Sequence, residues 1–285
     1  MSDYRREREH QPRHPMSAFK IRLLLAAAIV VFSVLGYFSN TDVNPITGKA
    51  QRVGGMTPEQ EIVLGLQAVE QMAVQFDGFS RDMKAAMMVE EMGQSLVKKL
   101  LIRLEERNQT LPYRFHFHLL ADQQTINAFA LPGGQIFITE ALYERLTHPG
   151  QLAGVLAHEI GHVLERHSAQ QMAQGQLFAG ISSAAGVAAG DVSGEKAARM
   201  VTGLVGMRYG RHHELESDRW GVELMVLAGY DPVHLLELMD ILESFSGGGR
   251  QPEFLSTHPL PANRKDYIER VVGEVFPNGK PAGLQ

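Results

Sequence analysis

Two histidines four residues apart, His158 and His162, lie in a stretch (151–167, QLAGVLAHEIGHVLERH) that is mostly apolar on every side. At helical spacing both imidazoles leave one face of the helix about one turn apart. The flanking Leu152, Val155, Leu156, Val163 and Leu164 predict that this helix is buried. Two imidazoles and the carboxylate of Glu159 inside a core are costly unless something pairs with them. The rest of the chain must therefore wrap this helix and supply a partner for its polar groups. A metal ion meets that demand, because the i, i+4 spacing lets two nitrogens reach one Zn2+ at about 2.0–2.1 Å. Glu159 is rotated by about 100° from its neighbour. It is predicted to face a water in an open metal position instead of joining the histidine pair. Gly161 in a helix interior costs about 1 kcal/mol relative to alanine, which predicts close packing of another element there.

Two ligands do not complete a hydrolytic site, which takes a third protein ligand and an open position for water. The segment 214–218 (ELESD) is the best source. Glu214 and Asp218 share a helix face, so one can bind metal while the other accepts the free N–H of a ligand histidine. Glu216 points the other way and is predicted to be solvated. His212 and His213 are rival ligands. His116 and His118 share a face of a predicted strand and are read as solvated.

Composition narrows the rest. There is no cysteine among the 285 residues, so disulfides, thiolate catalysis, Cys-ligated zinc and a lipidated N-terminal cysteine are all excluded. Net charge is -5, which gives no basic field for nucleic acid. Residues 1–22 run against that balance, with six basic against three acidic side chains, leaving -8 for the remainder.

Residues 21–38 (IRLLLAAAIVVFSVLGYF) carry a single charge, Arg22, at their start. Extended back to Ala18, the segment reaches about 30 Å as a helix, enough to cross a bilayer. The basic residues before it predict a cytoplasmic N-terminus with the remainder exported. A signal anchor, a cleaved signal peptide and a buried core helix all fit such a run. The missing A-x-A site, the long basic head and the all-round apolarity favour the anchor. The division that follows is a basic cytoplasmic N-terminus (1–20), a transmembrane anchor (21–38), a linker (39–56), one folded domain (57–275) and a flexible tail (276–285).

Within the domain, Thr57, Pro58 and Gln60 form a helix start, and a second helix is expected over about 81–107. Residues 113–120 alternate as a strand. Residues 126–130 and 135–139 flank Leu131-Pro132-Gly133-Gly134 as a hairpin. Helices are expected over 140–146, 151–167, 214–228 and 232–243, with another beginning near Ala262. Residues 168–210, rich in Ala, Gly, Ser and Met, read as a flap or an interfacial helix, and Gly247–Gly249 as a mobile loop.

At this point the motifs resemble a known family. His158-Glu159-Ile160-Gly161-His162 with Glu214 and Asp218 resembles the gluzincin pattern, and more narrowly peptidase family M48. The stretch from Asn127 to Gly134 (NAFALPGG) is similar to the hairpin preceding that family's active helix. Residues 44–48 (NPITG) and 58–61 (PEQE) resemble the start of its bacterial periplasmic branch. Residues 256–259 (STHP) with Arg264 resemble its closing motif. The resemblance covers about residues 44–270.

It implies an α+β fold, a mainly helical zincin-like domain with a small antiparallel sheet after one transmembrane helix. It implies one Zn2+ per chain held by His158, His162 and Glu214. Glu159 would be general base and later proton donor, and Asp218 would orient a ligand histidine. Asn127, Ala128, Phe129 and Ala130 would form an edge strand that pairs with an extended polypeptide substrate. His258 is either a donor to the developing oxyanion or a fourth zinc ligand in a latent state, and Arg264 helps to hold its loop. The expected partners are polypeptide substrates and membrane lipid, through 21–38, with no nucleic acid and with room for an oligomer. The expected place is the inner (cytoplasmic) membrane, single-pass, with the domain facing the periplasm.

Overall fold

A computed structural model of the chain describes residues 18–189, 208–245, 252–259 and 263–285. The basic residues 1–17, the loop Gly247–Gly249 and part of the predicted flap (190–207) lie outside the described residues.

The long apolar helix α1 (Ala18–Ser39) is followed by a two-residue pair, β1 (Asp42–Val43) and β2 (Ala50–Gln51). Helix α2 (Pro58–Gln75) starts on the predicted capping box, with Gln60 N donating to Thr57 Oγ1 and Thr57 N donating to Gln60 Oε1. Helix α3 (Met83–Glu106) buries Val89, Leu96, Leu100 and Leu104 along one stripe. Then come β3 (His116–Leu120), β4 (Ala128–Leu131), β5 (Gln135–Thr139) and a short α4 (Glu140–Tyr143). The remaining helices are α5 (Pro149–Leu164), α6 (His167–Ala189), α7 (Arg211–Ala228), α8 (Val233–Ser244), α9 (Glu253–Thr257) and α10 (Arg264–Val275).

Helix α5 is the axis of the domain. Every residue from Gly150 to Leu164 is buried. The helix packs against α7, α8, α3 and the three-stranded sheet. Its start is fixed by Pro149 at the first helical position and by His148, whose Nδ1 accepts from Gly150 N.

The sheet has the order β3-β5-β4. The β4–β5 hairpin is antiparallel, as its turn predicts, but β3 runs parallel to β5. The sheet is thus mixed, not the small antiparallel one expected. Alternation of side chains defines the strands, whereas strand order follows from the 121–127 crossover, which carries the chain to the far side of β5. Gly133 and Gly134 have φ of +79° and +106°, and a Cβ at Gly133 would meet Ile62 Cα at 2.4 Å. The hairpin turn is therefore wedged against α2.

Three further differences matter. The helix expected over 151–167 ends at Leu164, because Arg166 takes a left-handed φ of +56°. That reversal is held by buried charge, with Arg166 Nε 2.8 Å from Glu61 Oε1 and Tyr113 Oη donating to Glu61 Oε2. The expected linker 39–56 is partly a docked hairpin. Asn44 Nδ2 donates to Leu164 O at the end of α5, while its Oδ1 accepts from Ile46 N and Thr47 N. The expected free tail also returns to the domain. Gln285 N donates to Gly229 O and Asp231 N donates to Gln285 O.

Candidate metal centre

Helices α5 and α7 meet where α5 has no side chain. A Cβ at Gly161 would lie 2.9 Å from both Ser217 Cα and Trp220 Cβ, so glycine sets how closely the two helices approach. That approach brings His158 and His162 against Glu214 and Asp218. His158 Nε2 and His162 Nε2 lie 3.1 Å apart. Glu214 reaches each of them at 3.6 Å. His258, at the end of α9, joins the group, with Nδ1 at 3.4 Å from His158 Nε2 and 3.2 Å from Glu214 Oε1. One ligand atom from each of these four buried residues lies within 4.8 Å of all the others.

The spacing suits a metal. A tetrahedron with arms of about 2.0–2.1 Å has edges of about 3.3–3.4 Å, and the contacts just given run from 3.1 to 3.6 Å. Buried polar groups so close together call for a partner, and a metal ion fits the donor set. His162 is held well below the ordinary histidine range, by burial first and then by neighbouring imidazoles, so it stays in the neutral form that binds metal. The carboxylate oxygens of Glu159 and the Nε2 of His258 are buried with no hydrogen-bond partner among the described residues. His258 Nε2 lies 3.6 Å from Glu159 Oε1. Burial pushes the Glu159 carboxyl above its usual range.

The outer nitrogen of each histidine on α5 also has a polar atom close by. Asp218 Oδ1 stands 3.0 Å from His158 Nδ1. His167 Nδ1 stands 2.9 Å from His162 Nδ1, and His167 Nε2 contacts Glu216 at 3.2 Å. Arg264, itself buried, grips Asp218 with two nitrogens at 2.7 and 2.6 Å and Glu214 Oε2 at 2.8 Å. For Glu214 and Asp218 burial works against ionisation, yet the surrounding cations win and both carboxyls lie below their usual range. Arg264 Nη1 also donates to Pro259 O, which ties the His258 segment to the same guanidinium.

Two stacked rings hold the site from the side. Tyr209 lies on His162 with centroids 4.0 Å apart, and Phe254 lies on His258 at 4.4 Å. Tyr209 N donates to Thr257 O, and Phe254 N donates to Ile126 O just before β4.

Sequence reasoning missed these two rings and His167, although the histidine five residues after His162 was a visible hint. It also misjudged Glu216, which is only partly exposed and is paired with His167 and Lys49. Burial opposes its charge, but hydrogen bonds from His167 and Lys49 hold its carboxyl down at about 2. Other predicted residues fall elsewhere. His212 is exposed on Glu216, and His213 stacks on His167 at 4.2 Å. His118 donates to or accepts from Gln135 at 2.9 Å and stands half-buried, away from the cluster. Asn127 to Ala130 lie at the sheet edge with buried side chains, and the Asn127 amide has no partner among the described residues.

A glutamate of a second helix facing the two histidines of the first is the arrangement of the gluzincin metallopeptidase pattern that the sequence resembles. The chain belongs to peptidase family M48: the profile of Peptidase family M48 matches residues 87–272, more than half of the chain. It is 33% identical over 178 residues to the beta-barrel assembly-enhancing protease of Escherichia coli (strain K12), covering 59% of this chain and 36% of that protein. To the protein of that name from Yersinia pestis it is 30% identical, covering 82% of this chain and 52% of the relative. To the mitochondrial metalloendopeptidase OMA1 of Bos taurus it is 28% identical, covering 90% and 51%. The chain thus spans about half, or less, of the length of these relatives.

Proposed function

We propose that this chain is a membrane-tethered zinc endopeptidase that cuts misfolded or membrane and envelope polypeptides in protein quality control. The observation that carries this reading is the buried cluster of His158, His162, Glu214 and His258 beside an unpartnered Glu159 carboxylate. His158, His162 and Glu214 hold the zinc. Once bound, the ion supplies Lewis acidity toward the scissile carbonyl and its attacking water. Glu159 accepts the proton of that water and later delivers it to the leaving amine. Asp218 keeps His158 in the tautomer that presents Nε2, and His167 does the same work for His162. Arg264 balances the charge of Asp218 and Glu214. Strand β4, at the sheet edge, pairs with an extended substrate through backbone bonds, which favours broad sequence tolerance. Helix α1, which is long and apolar enough to cross a membrane, is the anchor. Basic residues before it set the domain on the periplasmic side of the inner membrane.

Purified protein is expected to hold one zinc per chain and to cleave casein. Chelation should abolish cleavage and lower the unfolding temperature, and zinc should restore both. Protein that cleaves equally well after complete metal removal would sink the reading.

His258 lies in the same buried cluster as His158, His162 and Glu214. As a fourth ligand its ring would compete with water and hold the site latent. His258→Ala is expected to raise casein cleavage several-fold. Lost activity would instead assign His258 to oxyanion stabilisation, and unchanged activity would reject both roles. A second reading draws on the same plug. An envelope assembly factor or chaperone would bind client strands with latent protease activity, which suits the name of the beta-barrel assembly-enhancing protease of Escherichia coli.

A further inference from the structure

Helix α6 begins inside the site, at His167, yet leaves the domain to pack along α1. Its path is antiparallel. A Cβ at Gly54, beyond the outer end of α1, would meet Ala173 at 3.3 Å, whereas one at Gly180 would meet Ser33 Oγ at 2.1 Å. Advancing along α6 thus means moving back along α1. Small residues make the contact, with Ala184 of α6 and Ala26 of α1 buried.

The outward side of α6 is unlike a water-facing helix. None of its 23 residues is Asp, Glu, Lys or Arg. Phe178 and Ile181 are 57% and 40% exposed. A helix lying on a domain in water carries polar and charged residues on its outer face. The serine at position 183 turns its hydroxyl back to Ala179 O at 2.7 Å, which satisfies it inside its own helix. The glutamines, Gln170, Gln171, Gln174 and Gln176, all fall in the first half, nearest the domain.

We propose that the second half of α6, from Leu177 to Ala189, is embedded in the bilayer beside α1. The inference rests on α1 being the membrane anchor. Arg52 over the Phe38 ring, at 4.8 Å, marks the outer end of α1. Ser33, the partner of Gly180, lies six residues or about 9 Å inside that end. Nine further residues carry α6 about 14 Å deeper, past the middle of a hydrocarbon layer about 30 Å thick but short of its far side. Any lipid around α1 at that depth also meets Phe178 and Ile181. Ten residues, about 15 Å of helix, separate His167 at the metal cluster from Leu177.

The absence of cysteine makes the test direct. Single-cysteine full-length variants Val74→Cys (α2), Phe32→Cys (α1), Phe178→Cys and Ile181→Cys are labelled in spheroplasts with a membrane-impermeant maleimide. A thiol in lipid does not ionise and reacts slowly. Val74→Cys should label readily. The other three should label at least about 10-fold more slowly and recover after denaturation in SDS. If Phe32→Cys is protected while Phe178→Cys and Ile181→Cys label like Val74→Cys, the inference is overturned and the anchor stands. If Phe32→Cys labels too, the anchor itself fails and the inference with it. Efficient disulfide-linked dimers of Phe178→Cys would show a second copy on this face instead of lipid, and would also overturn it.

Discussion

Glu159→Gln is expected to lower kcat/KM on casein by about 10³-fold, which corresponds to about 4 kcal/mol of transition-state stabilisation. Metal content should stay at the wild-type level, because the Glu159 side chain is not one of the four clustered donors. The unfolding temperature should hold or rise. Both Glu159 oxygens are buried without a hydrogen-bond partner among the described residues, so a neutral amide of the same shape removes a buried charge without breaking a bond seen there. The pairing of lost activity with kept metal and kept stability is what a proton-transfer role demands. A structural role would move all three together. The variant also separates the two functional readings. If cleavage disappears while the in-cell phenotype survives, the chain acts by binding clients. If cleavage itself survives, the endopeptidase reading is wrong.

Arg264→Ala is expected to give the largest loss of stability, about 3–5 kcal/mol, or roughly 10 °C in unfolding temperature for a domain of this size. Arg264 is 2% exposed and contacts Asp218 twice and Glu214 once. Truncation leaves two carboxylates buried with only imidazoles for company. It also frees the Pro259 carbonyl and so the segment that carries His258. Metal affinity should fall about 10–100-fold, because Asp218 loses the group that aims it at His158. Arg264→Lys should recover part of the stability, since it restores charge but not the two-pronged grip on Asp218. Calorimetry with and without added zinc measures both effects. A drop below about 2 °C would mean that Arg264 does not neutralise these acids.

The sequence read clearly where a local rule governed. The capping box at Thr57 and Gln60 starts α2. The Pro-Gly-Gly turn makes the β4–β5 hairpin. The apolar run makes α1, and the empty side of Gly161 receives α7. Each depends on residues within a few positions of one another, so spacing and residue type carry the information. Glu216 was misread for the same reason. Its helix face was right, but the face opposite Glu214 is covered by Lys49 and His167, which come from distant parts of the chain.

By itself, then, the sequence determined that a buried helix would present His158, His162 and Glu159 together, and that Glu214 and Asp218 would share one face of another helix. Tertiary structure alone decided that those two faces meet, that β3 lies parallel to β5, and that α5 breaks at Arg166 so that α6 runs back along α1. His258, 100 residues from His158, was expected at the site only through the family resemblance, and tertiary structure alone laid Tyr209 and Phe254 on the rings of His162 and His258. The physical reason is that periodicity fixes which side of an element is apolar or liganding. Which side faces which is set by the packing of the whole core and by the pairing of its buried charges, and neither leaves a mark at short range along the chain.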